Sequence, residues 1–129
     1  AALAQVEAAD AVVIASPVYK ASYTGILKAF LDLLPQTGLK GKITLPLFIG
    51  GTIAHLLSLD YALKPVLSVL GSRNILGGVF AIDQWVQRLE GGGFELSEEL
   101  AERLDRASEE LAEELVWLGA RAKGTGVNA

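Results

Sequence analysis

Cysteine and methionine are both absent from this 129-residue chain, and histidine occurs once, at His55. Without cysteine there is no disulfide, no thiolate nucleophile and no thiolate-held zinc or iron–sulfur centre. A single imidazole also rules out a multi-histidine metal site. No apolar run approaches the roughly 18 to 20 residues that a membrane span needs, so no membrane role is expected. The chain opens Ala1-Ala2-Leu3 with no positively charged, signal-like segment. Eleven Lys and Arg against fifteen Asp and Glu leave a formal charge of −4. With no basic stripe, that balance argues against a nucleic-acid surface. The glycine pattern of a P-loop, the Gly-x-Gly-x-x-Gly fingerprint and the Gly-x-Ser-x-Gly elbow are missing as well, which removes the usual nucleotide and hydrolase signatures. A cytoplasmic, acidic domain is expected.

Hydrophobic residues make up 51% of the chain, a high share for a small soluble domain. The mean hydropathy is +0.40. Burial against sister subunits accounts for such a surplus better than lipid does, so a homo-oligomer is expected. Residues 1–129 are too few for two cores and read as a single domain. Strands alternate with helices, the pattern of a parallel sheet covered by helices on both faces. The first strand is read over Ala11 to Ser16, the second over Ile43 to Ile49, and the third over Ile75 to Ile82 with Gly77-Gly78 inside it. Pro46 has no N–H for a ladder, so the second strand should be irregular there.

Thr24 is placed to cap a helix whose apolar face runs Ile26, Leu27, Phe30, Leu31 and Leu34. A helical segment from Thr52 meets Pro65 in mid-course, so Leu59 to Pro65 should be kinked, bulged or split. Ser97 is expected to cap the last helix, with Leu100, Leu104, Ala107, Leu111 and Leu115 as its buried stripe. The acidic run Glu109 to Glu114 is most simply a solvated face of that helix.

Ligands in open parallel sheets bind outside the carboxyl ends of the strands. Two such ends stand out: Ser16-Pro17-Val18-Tyr19-Lys20 and Gly50-Gly51-Thr52. From pattern alone Tyr19 reads first as ordinary core behind a rigid turn. In the alternative reading, its ring and the Pro17 turn form one wall of a planar-ligand pocket. Gly50 and Gly51 permit positive φ and close approach of a ligand to the backbone, or else make a tight turn and nothing more. His55 and Tyr61 read as packing or interface residues, and Arg73 and Lys20 as solvated cations.

The stretch Ser16-Pro17-Val18-Tyr19-Lys20-Ala21-Ser22-Tyr23-Thr24-Gly25-Ile26-Leu27-Lys28 resembles the strand–helix junction of NAD(P)H-dependent FMN reductases. Gly50-Gly51-Thr52-Ile53-Ala54-His55-Leu56-Leu57, followed by Asp60-Tyr61-Ala62-Leu63-Lys64-Pro65-Val66-Leu67, is similar to the alkanesulfonate-system, two-component branch of that family. The resemblance runs from about Ala8 into the last helix and weakens after Gln84. It implies a flavodoxin-like fold represented by its C-terminal three strands. The family's first strand and its Ser/Arg-rich phosphate loop have no counterpart in this sequence, so the domain reads as N-terminally incomplete.

The resemblance further implies FMN and NAD(P)H as cofactor and substrate, with Pro17, Val18, Tyr19, Lys20, Ser22, Gly50, Gly51 and Thr52 bordering the flavin ring. It implies a dimer or tetramer, a partner FMN-dependent monooxygenase, and a π-bulge at Tyr61, which becomes a candidate for oligomer contact and flavin exchange. The function it implies is supply of reduced FMN for sulfonate sulfur acquisition. An FMN-retaining quinone or azo reductase, and a non-catalytic electron carrier or oligomeric scaffold, are the alternatives. No side-chain acid or nucleophile is expected to be catalytic.

Overall fold

The computed structural model describes residues 1–128, with side chains to residue 123. A short helix α1 (Ala2–Ala8) leads into strand β1 (Ala11–Pro17), whose apolar run pairs in parallel with β2 (Ile43–Gly50). Between them lies α2 (Gly25–Leu31), where the Leu27 N–H donates to the cap Thr24 Oγ1 at 3.1 Å. Past β2 come a 3-10 turn (Ile53–His55), a π turn (Leu59–Leu63) and α3 (Lys64–Val69). Two short strands, β3 (Asn74–Ile75) and β4 (Val79–Ile82), both pair in parallel with the free side of β2. A second 3-10 turn (Asp83–Trp85) then enters a small antiparallel hairpin, β5 (Val86–Arg88) and β6 (Phe94–Leu96). The long helix α4 (Glu98–Asn128) closes the described chain. The flavodoxin-like parallel sheet expected from sequence is present.

Each face of the sheet buries its own core. On one side Ile14, Phe48 and Phe80 pack with Leu31 of α2, Leu59 and Leu63 of the π turn, and Leu67 of α3. On the other, Ile43, Leu45, Leu76, Val79 and Ala81 pack against Leu100 and Ala107 of α4. Two-sided burial explains why β2 is a continuous apolar run rather than an alternating one. β1 has no strand on its outer side among the described residues, and its Val13 is half-exposed.

The irregularity expected at Pro46 lies instead in the neighbouring strand. β2 passes through Pro46 in unbroken register with β1, Ile14 opposite Pro46. Ladder bonds toward β1 use the odd-numbered residues of β2: the Ile43 N–H donates to the Asp10 carbonyl, and the Val18 N–H to the Ile49 carbonyl. Pro46 therefore directs its missing N–H to the other side, where the Thr44 carbonyl accepts from Leu76 N–H at 2.9 Å.

That is where the third strand breaks. Thr44 faces Ile75 and Leu47 faces Val79, so Leu76, Gly77 and Gly78 stand opposite only Leu45 and Pro46. This is a one-residue bulge, and it falls where a donor is absent. Because side chains alternate along a strand, the extra residue resets the faces: Leu76 and Val79 share the α4 side, and Phe80 points to the opposite core.

Two sequence expectations about the last helix change. Ser97 caps it, accepting from Leu100 N–H at 3.2 Å. Leu115, however, is exposed, and Leu118 packs toward the core in its place. Glu114 is not simply a solvated carboxylate either, since it accepts from Asn74 Nδ2 at 2.8 Å. Arg73 is likewise engaged, donating to the Ser68 and Ser72 carbonyls at the end of α3. The β5–β6 hairpin has no clear signal in the sequence, where Gly91-Gly92-Gly93 reads as a loop; these glycines form its turn, all at positive φ.

A Cβ on Gly78 would stand 2.5 Å from the Pro46 carbonyl oxygen and 2.9 Å from its Cγ, at a φ of +81°. A Cβ on Gly77 would meet nothing within 4 Å. Gly78→Ala should therefore cost about 3 kcal/mol, combining left-handed strain with an overpacked contact against backbone. Gly77→Ala should stay within about 0.5 kcal/mol of the parent. Urea denaturation of the pair checks this, and equal losses would contradict the assignment of the bulge.

Candidate functional site

The carboxyl ends of β1, β2 and β4 reach one rim. The Val18 N–H donates to the Ile49 carbonyl at 2.8 Å, carrying the ladder one residue past β1 and bringing the first loop up beside the glycine pair. Ile82, the last residue of β4, pairs with Gly50. Pro17, Val18, Tyr19, Gly50, Gly51 and Thr52 thus lie together, as the sequence reading requires.

Ser16 anchors the first loop from below. Its side chain is buried, donates to the Pro17 carbonyl at 2.8 Å and accepts from the Thr24 N–H at 3.1 Å. One hydroxyl thereby ties the strand end to the start of α2. Between these ties, Tyr19 and Ser22 exchange backbone bonds, Tyr19 N–H to Ser22 O at 2.9 Å and Ser22 N–H to Tyr19 O at 3.1 Å. The two residues at the tip, Lys20 at φ 52° and Ala21 at φ 62°, are both left-handed and neither is glycine. Backbone of this kind persists where the surroundings over-determine it, and it clusters at ligand sites. Tyr19 is 63% exposed, which rules out the plain core reading and leaves its ring available at the rim.

The glycines behave differently from the sequence expectation. Neither Gly50 nor Gly51 adopts a positive φ. Gly50 sits in a tight place, where a Cβ would stand 3.2 Å from Phe80 Cζ and 3.3 Å from Val18 Cγ2. Gly51 is required by neither packing nor conformation: a Cβ on it would meet only Asp83 Oδ2, at 3.8 Å. The backbone there is bare, and a flat ring can lie against it. Thr52 Oγ1 accepts from Ala54 N–H at 3.2 Å and caps the 3-10 turn, so its hydroxyl is already partly engaged.

The helical segment after this turn is split, as Pro65 requires. Lys64 N–H reaches the Leu59 carbonyl five residues back, so the chain takes up its extra residue immediately ahead of the proline. Leu59 and Leu63, four residues apart on one face, are buried, whereas Tyr61 between them is 77% exposed. Ala21, at the strained tip, joins Ala54, His55, Leu57, Ser58 and Tyr61 around one open hollow of about 320 Å³. The turn from β1 and the π turn after β2 therefore face the same space.

Asp83 at the rim went unnoticed in the sequence. The signal was available: it is the first residue beyond the third strand as read from sequence, the station that Pro17 and Gly50 hold after the first two. Among the described residues no group of three or more His, Asp and Glu side chains is placed to hold a metal ion.

Comparison with known proteins agrees with this architecture. A sequence profile described as NADPH-dependent FMN reductase matches residues 1–87, and the chain belongs to that family. The FMN reductase (NADPH) of Escherichia coli K12 is 60% identical over 82 residues, covering 64% of this chain and 43% of that protein. The NADH-dependent FMN reductase SfnE of Pseudomonas putida is 41% identical over 76 residues, covering 59% of this chain and 41% of its own length. Among solved structures, the apo form of the NADH:FMN oxidoreductase EmoB superposes with a TM-score of 0.75 at 41% identity, over 85% of this chain and 56% of that one. The chain thus spans less than half the length of these two curated relatives.

The strain at the turn tip is measurable. Relieving left-handed alanine is worth about 1–2 kcal/mol, and the extra freedom of an unfolded glycine offsets about 0.4–1 of that. Ala21→Gly should therefore raise stability by about 0.5–1 kcal/mol in urea denaturation. A loss of stability would mean that the turn is not strained.

Proposed function

We propose that this rim is the ring-binding part of a flavin site in an NAD(P)H:FMN oxidoreductase that hands reduced FMN to a partner FMN-dependent monooxygenase. The observation that carries the reading is the convergence of the exposed Tyr19 ring and the bare Gly51 backbone, locked side by side by Val18 N–H and the Ile49 carbonyl. The family membership of residues 1–87 supports the same chemistry. In that reaction a hydride passes from the nicotinamide to the flavin, and the cofactors carry the bond changes themselves.

The chain's contribution is placement. Pro17, Val18 and Tyr19 wall the ring, the backbone of Gly50, Gly51 and Thr52 lies against it, and Lys20 and Ser22 close the turn that holds Tyr19. Stacking two flat rings at near-attack distance needs rigid walls rather than an acid or a nucleophile, and the tied-down loop from Ser16 to Thr24 supplies one.

Supply of reduced flavin for sulfonate sulfur acquisition is the physiological role we assign, by analogy with the relatives named for FMN reduction. We take residues 1–129 as belonging to one domain, because both cores are built on the same sheet. We place the protein in the cytoplasm, by analogy with the proposed supply of reduced FMN to a partner enzyme. Among the described residues no helix is long and apolar enough to cross a membrane.

We further assign the π turn to assembly. Ile53, Leu56, Leu57 and Tyr61 are exposed large apolar side chains on the segment that follows the glycine pair. Such a patch fits burial against a second copy of the chain in a dimer or tetramer, with the Tyr61 hydroxyl needing a polar partner there.

Two variants test the reading. Gly51→Val should weaken FMN binding more than tenfold in a fluorescence titration while leaving the urea midpoint nearly unchanged, since the added Cβ has an ordinary contact at 3.8 Å as its nearest neighbour. Unchanged affinity would reduce the glycine pair to a turn. Tyr61→Ala should lower the sedimentation coefficient toward that of the monomer and reduce the flavin retained by the same sample. If neither moves, Tyr61 is ordinary surface. Steady-state kinetics at varied FMN should show saturable consumption of FMN as substrate; retention of one FMN with turnover of a quinone would favour the prosthetic-group enzyme instead.

A further inference from the structure

We infer that Asp83 sets the balance between oxidised and reduced flavin at this rim by placing a fixed negative charge at the edge of the ring. The inference rests on the flavin reading above. Asp83 stands one residue beyond the last rung of the ladder, since Ile82 pairs with Gly50. Apart from Gly51 and its two chain neighbours, its Oδ2 is the sole heavy atom within 4 Å of the position a Cβ on Gly51 would occupy, at 3.8 Å. A planar ring lying on the Gly51 backbone therefore has this carboxylate within reach of its margin. The side chain is exposed and makes no hydrogen bond or ion pair among the described residues, so its lone pairs remain available to a ligand.

The position is rigid rather than incidental. Asp83 begins the 3-10 turn Asp83–Trp85, and that turn is fastened at its far end. The Trp85 carbonyl accepts from Ser97 N–H at 2.8 Å. The Arg103 guanidinium lies over the Trp85 ring, 5.7 Å from its centroid. The carboxylate is thus carried by a segment clamped between β4 and the start of α4.

An ionised carboxylate only accepts hydrogen bonds. The isoalloxazine imide keeps its N–H in both the oxidised and the two-electron-reduced state, so a bond to Asp83 serves both alike. Charge separates them. The oxidised ring is neutral, whereas the reduced ring is substantially anionic at neutral pH, and a fixed negative charge nearby disfavours the anion. Asp83 thereby weakens the hold on the reduced product relative to the oxidised substrate, which is what an enzyme that gives its reduced flavin away requires.

The test is titration of the full chain and its Asp83→Asn variant with oxidised FMN, and anaerobically with dithionite-reduced FMN. Asparagine keeps an acceptor oxygen and the side-chain shape while removing the charge. The variant's preference for reduced over oxidised FMN should rise about threefold to tenfold, a range that allows for solvent screening of an exposed carboxylate. The gain should shrink in about 0.5 M salt, where the Debye length falls to a few ångströms. Repeating the series with riboflavin removes the phosphate, whose own charge would move both affinities together. A reduced-to-oxidised ratio unchanged in the variant overturns the inference while leaving the flavin reading intact. A ratio that changes equally at low and high salt also overturns it, because a shape effect is not screened. Failure of the parent chain to bind either form overturns the flavin reading, and this inference with it.

Discussion

The rim depends on the parallel ladder between β1 and β2, which runs without interruption from Ala11 opposite Ile43 to Pro17 opposite Ile49. Its last bond, Val18 N–H to the Ile49 carbonyl, lies beyond the strand proper, in the loop. Parallel pairing fixes both the direction and the level at which two chains leave the sheet. Any slip of one residue would turn Val18 away from Gly50 and move every core side chain of β1 to the wrong face. The two core clusters resist such a slip together, because Ile14 and Phe48 are buried on one side while Ile43 and Leu45 are buried on the other. Burial of β2 on both faces is therefore what gives the loop its address.

The same strand determines where Asp83 falls. Pro46 cannot donate toward the third strand, and the one-residue bulge from Leu76 to Gly78 lies opposite that gap. Without the extra residue, the register of Thr44 with Ile75 would carry on to put Ala81 opposite Gly50. Ile82 would then take the station next to Gly51, with its side chain on the opposite face. The bulge shifts the remainder of the chain by one, so that a carboxylate rather than an isoleucine stands there. A missing hydrogen-bond donor in the core and a charged group at the rim are thus linked through register alone. Gly78 is the residue that permits it, since its φ of +81° and its contact with the Pro46 carbonyl exclude a side chain.

Much of this could be read from the sequence because the physics involved is local. Thr24 and Ser97 act as caps, the Pro65 interruption yields a split helix, and the apolar runs yield buried strands. What escaped depends on partners distant in the chain. Pro46 signalled an irregularity correctly, but only the pairing shows that the neighbouring strand takes it up. Gly50 and Gly51 look alike in sequence. One is crowded by Phe80 and Val18, and a Cβ on the other would meet only Asp83 beyond its chain neighbours. The departure from the expected Leu115 stripe is of the same kind: a helical period predicts a face, but the sheet beneath decides which residues it reaches, and Leu118 rather than Leu115 packs there. The hairpin carried no strong signal, since each of its strands has three residues.

The two irregular segments at the rim share a physical logic. Left-handed Lys20 and Ala21, and the π turn from Leu59 to Leu63, are each less favourable than regular backbone, by about 1–3 kcal/mol for strained residues. Each also aims something that regular structure would direct elsewhere. The tight turn folds Tyr19 back against Ser22, and the Tyr19 ring stays at the surface. The extra residue of the π turn rotates the segment before Lys64 by about one residue's share of a helical turn, roughly 100°. Leu59 and Leu63, four residues apart, share the buried face as they would in an ordinary helix, and Tyr61 between them faces outward. Ala21 and Tyr61, one on each irregular segment, both line one hollow. The regular ladder sets the level of the rim, and these two departures decide what it presents.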